Sequence, residues 1–125
     1  MESKLILKPG EDTPEITFDP GGNVFSISGR SLPEDAFSFY APVQTWMKSY
    51  TSAPNPASEL VVFLEYFNSS SVKQLLILFS QFEQISSSGK QAKITWCYAG
   101  GDDLMEIKGE EFKSMLELPF ELKSV

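Results

Sequence analysis

The stretch LVVFLEYF, residues 60–67, constrains the fold of this chain more than any other segment. Apart from Glu65 it is entirely apolar or aromatic, which is typical of a central β-strand that is covered on both faces. Asn68 and three serines follow it directly, and apolar residues then recur at intervals of three and four, which predicts an amphipathic helix. These apolar residues are Val72, Leu75, Leu76, Phe79, Phe82 and Ile85.

Three further segments, in which polar and apolar residues alternate, predict more strands of the same sheet. EITF, residues 15–18, and VFSIS, residues 24–28, alternate on either side of DPGGN. This pattern predicts a hairpin whose turn is formed by residues 20–23. AKITWCY, residues 92–98, also alternates and predicts a fourth strand.

The first helix is predicted from the segment SLPEDAF. Ser31 stands three residues before Glu34, which is the spacing of a capping box, and a proline between them suits a first helical turn. The helix should reach about Tyr50. Pro42 removes one helical hydrogen bond, so the helix either kinks there or has its regular part beginning just before it.

The remaining helices complete the predicted order of elements. The helix after the serines should begin at about Ser70 and end at SSSG, where Gly89 can adopt the left-handed conformation. GEEFKSML, residues 109–116, predicts a short last helix after a turn at GGDD. The order strand, strand, helix, strand, helix, strand, helix predicts an α/β sandwich around one mixed β-sheet with about three helices.

The composition excludes several classes of function. The chain has no histidine and a single cysteine, Cys97, so it lacks the usual general base, a Ser-His-Asp triad, an internal disulfide and a cysteine-based zinc cluster. Its net charge of -7 disfavours binding to nucleic acid. The apolar runs are too short for a membrane span or a signal peptide. We therefore expect a cytoplasmic protein with no metal, no cofactor and no membrane insertion.

Other residues allow further interpretations. A group of acidic side chains near the C-terminus predicts either a solvated acidic face or the cation or ligand site of a small binding module or enzyme, the solvated face being the more ordinary interpretation. These side chains are Asp102, Asp103, Glu106, Glu110 and Glu111. A phosphoaspartate receiver would need an aspartate at the end of a central strand, where only Glu65 is present. Aromatic residues at helix and strand positions are expected in the core; they include Trp46, Trp96, Phe79 and Phe82.

The serines between the central strand and its helix allow two interpretations. A strand ends and a helix begins there, so backbone N–H groups are unpaired and Asn68, Ser69 or Ser70 can serve as the N-cap. Alternatively, one hydroxyl is a phosphorylation site, because a helix N-terminus tolerates added negative charge well. Composition alone leaves both interpretations open.

Four segments of the chain resemble a known family. They are GRSLPEDAFSFYAPVQTWMKSY, FLEYFNSSSVKQLL, ITWCY and GEEFKSMLELPF, and together they extend from about Ile16 to Phe120. In this order and spacing they are similar to the SiaC family of bacterial regulatory phosphoproteins, which was formerly a domain of unknown function. The resemblance implies that residues 1–125 form a single regulatory domain with a fold like that of STAS domains, the anti-sigma-factor antagonists.

The resemblance also implies a function that is not enzymatic. In the SiaC family, a partner kinase with a histidine-kinase-like ATP-binding fold phosphorylates a hydroxyl residue, and a PP2C-type phosphatase removes the phosphate. The unphosphorylated protein binds and activates a diguanylate cyclase, which raises cyclic di-GMP and favours biofilm formation.

The phosphorylated residue of the family directly follows the asparagine of its motif, which corresponds to Ser69 here. The family more often has threonine at this position, and three consecutive serines leave the acceptor open. The resemblance implies Ser69 as the first choice and Ser70 as the second, with Ser71 as a cap or spacer. Asn68 is expected to shape the turn, and a partner-binding surface is expected to include Asn68, Ser69, Ser70, Ser71 and Lys73.

Overall fold

One mixed β-sheet and three helices make up the computed structural model, which describes residues 3–125. The strands are β1 (Leu5–Leu7), β2 (Glu15–Asp19), β3 (Val24–Ser31), β4 (Ala57–Phe67), β5 (Gln91–Tyr98) and β6 (Phe120–Ser124). The helices are α1 (Ala36–Tyr50), α2 (Ser69–Ser87) and α3 (Asp103–Ser114). The predicted α/β class, with a single mixed sheet and three helices, is confirmed.

The direction of the strands places three helix N-termini at one edge of the sheet. The spatial order is β1-β2-β3-β4-β5-β6. The pairs β1–β2 and β2–β3 are antiparallel, and the later pairs, from β3 to β6, are parallel. Each of α1, α2 and α3 connects one parallel strand to the next. The carboxyl ends of β3, β4 and β5 and the N-termini of these helices therefore lie at the same end of the sheet.

All three helices pack against the same face of the sheet. Trp46 of α1 contacts Phe18, with ring centroids 5.2 Å apart. On the same face, Trp96 of β5 contacts Phe79 of α2 and Phe112 of α3. Phe82 is also buried, so the prediction that the two tryptophans and these phenylalanines belong to the core is confirmed.

The prediction that β4 is covered on both faces is wrong. Leu60, Val62 and Leu64 are buried under the helices, whereas Val61 is only half-buried and Phe63 is 39% exposed. Successive side chains of a strand point to opposite faces, and the helices cover only one of them. The other face of the sheet is open along β4, so the fold has two layers.

The start of α1 differs from the prediction. Its N-cap is Asp35, whose carboxylate accepts hydrogen bonds from the backbone N–H and the hydroxyl of Ser38. These bonds, the backbone bond above all, lower the pKa of Asp35. Ser31 was predicted as the cap, but it is the last residue of β3 and is fully buried. The helix continues through Pro42 to Tyr50 without a break.

The last helix is longer than predicted, and two strands were missed. α3 begins at Asp103, and the side chain of Asp102 caps it by accepting the N–H of Met105 at 3.2 Å. Gly109, predicted at the helix start, lies inside α3, where a Cβ atom would be 2.5 Å from Cδ1 of Trp96. The missed strands, β1 and β6, are short and lie at the two outer positions of the sheet.

Candidate functional site: the serine turn

The serine turn, residues 68–71, joins the carboxyl end of β4 to the first turn of α2. Asn68 is the N-cap of α2, with extended backbone (φ -87°, ψ 170°), and its Oδ1 accepts the backbone N–H of Ser71 at 3.1 Å. The N–H of Asn68 donates to the carbonyl of Ser31 at 3.1 Å. The capping role that the sequence left open among three residues therefore belongs to Asn68.

Ser71 forms the buried base of the serine turn. It has no exposed surface, and its Oγ donates to the Ser31 carbonyl at 2.9 Å. The Ser31 and Ser71 hydroxyls also lie 2.9 Å apart, and the Tyr40 hydroxyl lies 2.6 Å from that of Ser31. Ser71 is thus neither a cap nor a spacer. Its predicted place in an exposed partner-binding surface is wrong, because it is buried among these groups.

The hydroxyl network beneath the turn is uncharged at neutral pH. Burial raises the pKa of Tyr40 to about 12, although its hydrogen bond with Ser31 lowers it in part. Because every buried side-chain polar atom in residues 3–125 has a hydrogen-bond partner, the network is fully satisfied. Satisfied buried hydroxyls fix the positions of the elements that carry them. Here they join β3, α1 and the first turn of α2.

Ser69 and Ser70 face the solvent, but their hydroxyls differ. The Oγ of Ser70 donates to Oδ1 of Asn68 at 3.0 Å. The hydroxyl of Ser69 makes no hydrogen bond with any other group in residues 3–125. Of the three serines, therefore, one is buried, one is bonded to the cap, and Ser69 alone presents an exposed and unengaged hydroxyl.

A cleft of about 270 Å³ opens beside Ser69, between the serine turn and α3. Its lining residues are Tyr66, Phe67, Asn68, Ser69, Val72, Leu104, Met105 and Lys108. Tyr66 and Leu104, which both line the cleft, are about half exposed. Lys108 is the sole basic residue of the cleft lining within the described chain.

The structure brings together some of the predicted site residues and adds others. Asn68, Ser69 and Ser70 share the exposed turn, and Lys73 is exposed one helical turn beyond Ser69 on α2 but does not line the cleft. Sequence reasoning missed Lys108, because α3 was predicted to begin one residue after it. The helical spacing of Met105, Gly109 and Phe112, all buried, was the signal that could have placed it.

The acidic residues near the C-terminus cap α3 or lie along it. Asp102 caps α3, and Glu106 accepts a hydrogen bond from the Tyr98 hydroxyl at 3.2 Å. Within residues 3–125 there is no group of three or more His, Cys, Asp or Glu side chains placed to hold a metal ion. In the same part of the chain, no helix is sufficiently long and apolar to span a membrane.

Comparison with known proteins gives the class of this protein. A family model described as SiaC family regulatory phosphoprotein matches residues 7–125. The chain therefore belongs to the SiaC family, as its motifs indicated. A curated relative, an uncharacterised protein of Pseudomonas aeruginosa strain UCBPP-PA14, is 26% identical over 122 residues, covering 98% of this chain and 97% of the relative.

Solved structures share the fold. SiaC of P. aeruginosa matches with a TM-score of 0.88 and 24% identity, over 98% of this chain and 99% of that one. A chain in the crystal structure of the diguanylate cyclase SiaD in complex with its activator SiaC, also from P. aeruginosa, matches with a TM-score of 0.90 and 24% identity. That match covers 97% of this chain and 99% of the other.

Proposed function

We propose that this chain is a non-catalytic switch protein in which phosphorylation of Ser69 controls binding to a signalling enzyme. The observation that supports this most strongly is the state of the three serines. Ser71 is buried and Ser70 is hydrogen-bonded to Asn68, whereas the Ser69 hydroxyl is exposed and has no partner within the described residues. A kinase can reach the Ser69 oxygen without breaking any bond of the fold.

The modification is a reversible phosphoryl transfer. Oγ of Ser69 attacks the γ-phosphorus of ATP, its proton passes to a base of the partner kinase, and ADP leaves. A PP2C-type phosphatase then directs water to the phosphorus, which restores the hydroxyl and releases inorganic phosphate. The kinase, of the histidine-kinase-like ATP-binding fold, and the phosphatase come from the family resemblance. Because these steps use ATP, the protein works in the cytoplasm.

The position of Ser69 in the fold can stabilise an added negative charge. It is the first residue of α2, where the backbone N–H groups and the helix dipole stabilise an anion. The modified chain can therefore keep its fold while its surface changes from a neutral hydroxyl to a phosphate carrying nearly two negative charges. The switch acts on the surface and leaves the core unchanged.

The partner is a signalling enzyme, with a diguanylate cyclase as the first choice. Support comes from the relative in P. aeruginosa, where SiaC is the activator found in complex with the diguanylate cyclase SiaD. The half-exposed Tyr66 and Leu104 beside Ser69 give this surface apolar contacts for a protein partner. The unphosphorylated form binds the enzyme, and the phosphate prevents binding.

Phosphosite mapping tests this proposal. The chain is incubated with its cognate kinase and ATP, and peptides are analysed by mass spectrometry. Phosphate should appear on Ser69, should be lost in Ser69→Ala, and should persist in the matched control Ser70→Ala. Phosphate that remains in Ser69→Ala and disappears in Ser70→Ala would transfer the acceptor role to Ser70. No modification of the folded chain by the kinase would reject the proposal.

A further inference from the structure

Ser69 and Lys108 line one cleft from two different helices, although they are far apart in sequence. Ser69 lies at the start of α2 and Lys108 in the middle of α3, and both line the same space of about 270 Å³. The other walls are largely apolar, being formed by Tyr66, Val72 and Leu104 among others. Within the described residues, a charge on Ser69 thus has one basic residue, Lys108, in the lining of the same cleft and little other polar surface there.

Lys108 makes only a weak ion pair in the unmodified chain. Its ammonium pairs with the carboxylate of Glu111 at 3.6 Å, and the two side chains are 38% and 57% exposed. Such a long, exposed pair within one helix contributes little, so it exchanges readily for a better partner. Glu111 stays in contact with solvent when the pair opens.

We infer that phosphate on Ser69 pairs with Lys108 across this cleft, so the chain carries its own counter-ion for the modified state. The inference rests on the proposed phosphorylation of Ser69. The phosphate has two charges and three acceptor oxygens, which makes it a stronger partner for an ammonium than one distant carboxylate. The resulting ionic bridge joins α2 to α3 and fills the cleft between Tyr66 and Leu104.

Lys73 is the rival cation. It lies four residues after Ser69 on α2, a spacing at which side chains of a helix are neighbours. However, Lys73 is exposed and is not among the cleft residues, so water competes for it more effectively. Pairing with Lys108 and pairing with Lys73 therefore predict different effects of replacing each lysine on the second ionisation of the phosphate.

The experiment uses the full chain with phosphoserine installed at position 69 during translation, followed by ³¹P NMR titration from pH 4 to 9. A nearby cation favours the dianion, so the midpoint of its second ionisation should be low in the wild-type background. Lys108→Met should raise this midpoint by about half a pH unit. Lys108→Gln should give the same rise, and the control Lys113→Met, which removes an exposed charge of the same helix, should leave it nearly unchanged.

Two results would overturn the inference. One is a Lys108→Met midpoint equal to that of the wild-type background. The other is a larger rise in Lys73→Met than in Lys108→Met, which would assign the phosphate to Lys73. In addition, about 1 M KCl should reduce the difference between the wild-type background and Lys108→Met, because salt screens an accessible ion pair.

The test separates this inference from the proposed function. Because phosphoserine is installed without the kinase, the titration reports on Lys108 whether or not the kinase modifies Ser69. Failure of the kinase to act on Ser69 would reject the proposed function alone. An unchanged midpoint in Lys108→Met would reject the internal bridge and leave Ser69 as the acceptor.

Discussion

The Ser71 hydroxyl donates to the carbonyl oxygen of Ser31 at 2.9 Å and thereby ties the first turn of α2 to the end of β3. The same carbonyl accepts the N–H of Asn68, so two bonds from the serine turn converge on one residue. Since the proton of Ser71 is used on this carbonyl, the Ser31 hydroxyl can donate to Ser71 while it accepts from Tyr40. These hydrogen bonds fix the buried side of the serine turn and leave Ser69 on its solvent-exposed side.

Replacing Ser71 should destabilise the protein far more than replacing Ser69. Ser71→Ala removes a buried hydroxyl from a satisfied network and should lower the free energy of unfolding by about 1–3 kcal/mol. Ser69→Ala changes an exposed hydroxyl that is not the cap, so its effect should stay within about 0.5 kcal/mol. Urea unfolding followed by circular dichroism gives both values. Equal losses for the two variants would contradict the structure.

Asn68 should matter both for stability and for the choice of acceptor. Asn68→Ala removes the N-cap and should cost about 0.5–2 kcal/mol, whereas Asn68→Asp keeps the accepting oxygen and should cost much less. The alanine variant also frees the Ser70 hydroxyl, which is bonded to Asn68 in the native chain. Kinase treatment of Asn68→Ala should therefore give phosphate on Ser70 as well as Ser69. Exclusive modification of Ser69 would mean that this bond plays no part in selection.

Tyr40 should make the protein sensitive to alkali. Its pKa is raised to about 12 in the folded chain, while the pKa of an unfolded tyrosine is about 10. The folded state therefore holds this proton more tightly, and the resulting stability is fully present below about pH 10 and is lost as the pH rises through 12. Urea unfolding between pH 9 and 12 should show this decline. In Tyr40→Phe the decline should be shallower, and an identical slope would exclude Tyr40 as its source.

Phosphate on Ser69 should weaken binding to the signalling enzyme. A partner surface that fits a neutral hydroxyl must either desolvate the phosphate or supply a cation. Lys108 offsets only one of the nearly two charges of the phosphate, so binding would still bury net negative charge. Such burial costs several kcal/mol, which corresponds to a loss of roughly a hundredfold or more in affinity. Calorimetric titration of a diguanylate cyclase from the same organism should give similar affinities for the native chain and Ser69→Ala, and much weaker binding for the phosphorylated chain. Tighter binding by the phosphorylated chain would reverse the direction of the switch.

Local signals explain what could be predicted from the sequence. The start of α2 was placed within one residue because its cap, its apolar spacing and the strand before it are all contiguous. Edge strands β1 and β6 gave too little signal, since they have three and five residues. The start of α3 was missed because Asp102 was assigned to a turn, although its side chain is the cap.

The burial of Ser71 and the inferred role of Lys108 could not be predicted, because both depend on contacts between distant parts of the chain. Ser71 is buried by Ser31 and Tyr40, which lie 40 and 31 residues before it in the sequence. The three serines are the same residue type in the sequence, so only the packing of β3 and α1 against the turn distinguishes them. Lys108 acquires its position from the packing of α3 beside α2.

Under the proposed function, the different environments of the three serines allow the fold of the substrate itself to select the acceptor. A kinase that discriminates little among neighbouring serines would then act mainly on Ser69, because Ser71 is buried and the Ser70 hydroxyl is hydrogen-bonded to Asn68. A short synthetic peptide of the same sequence would lack the burial of Ser71 and the Ser70–Asn68 hydrogen bond, and would present three equivalent hydroxyls. The proposed kinase would then need little sequence specificity, and further serines in this segment would create no competing sites.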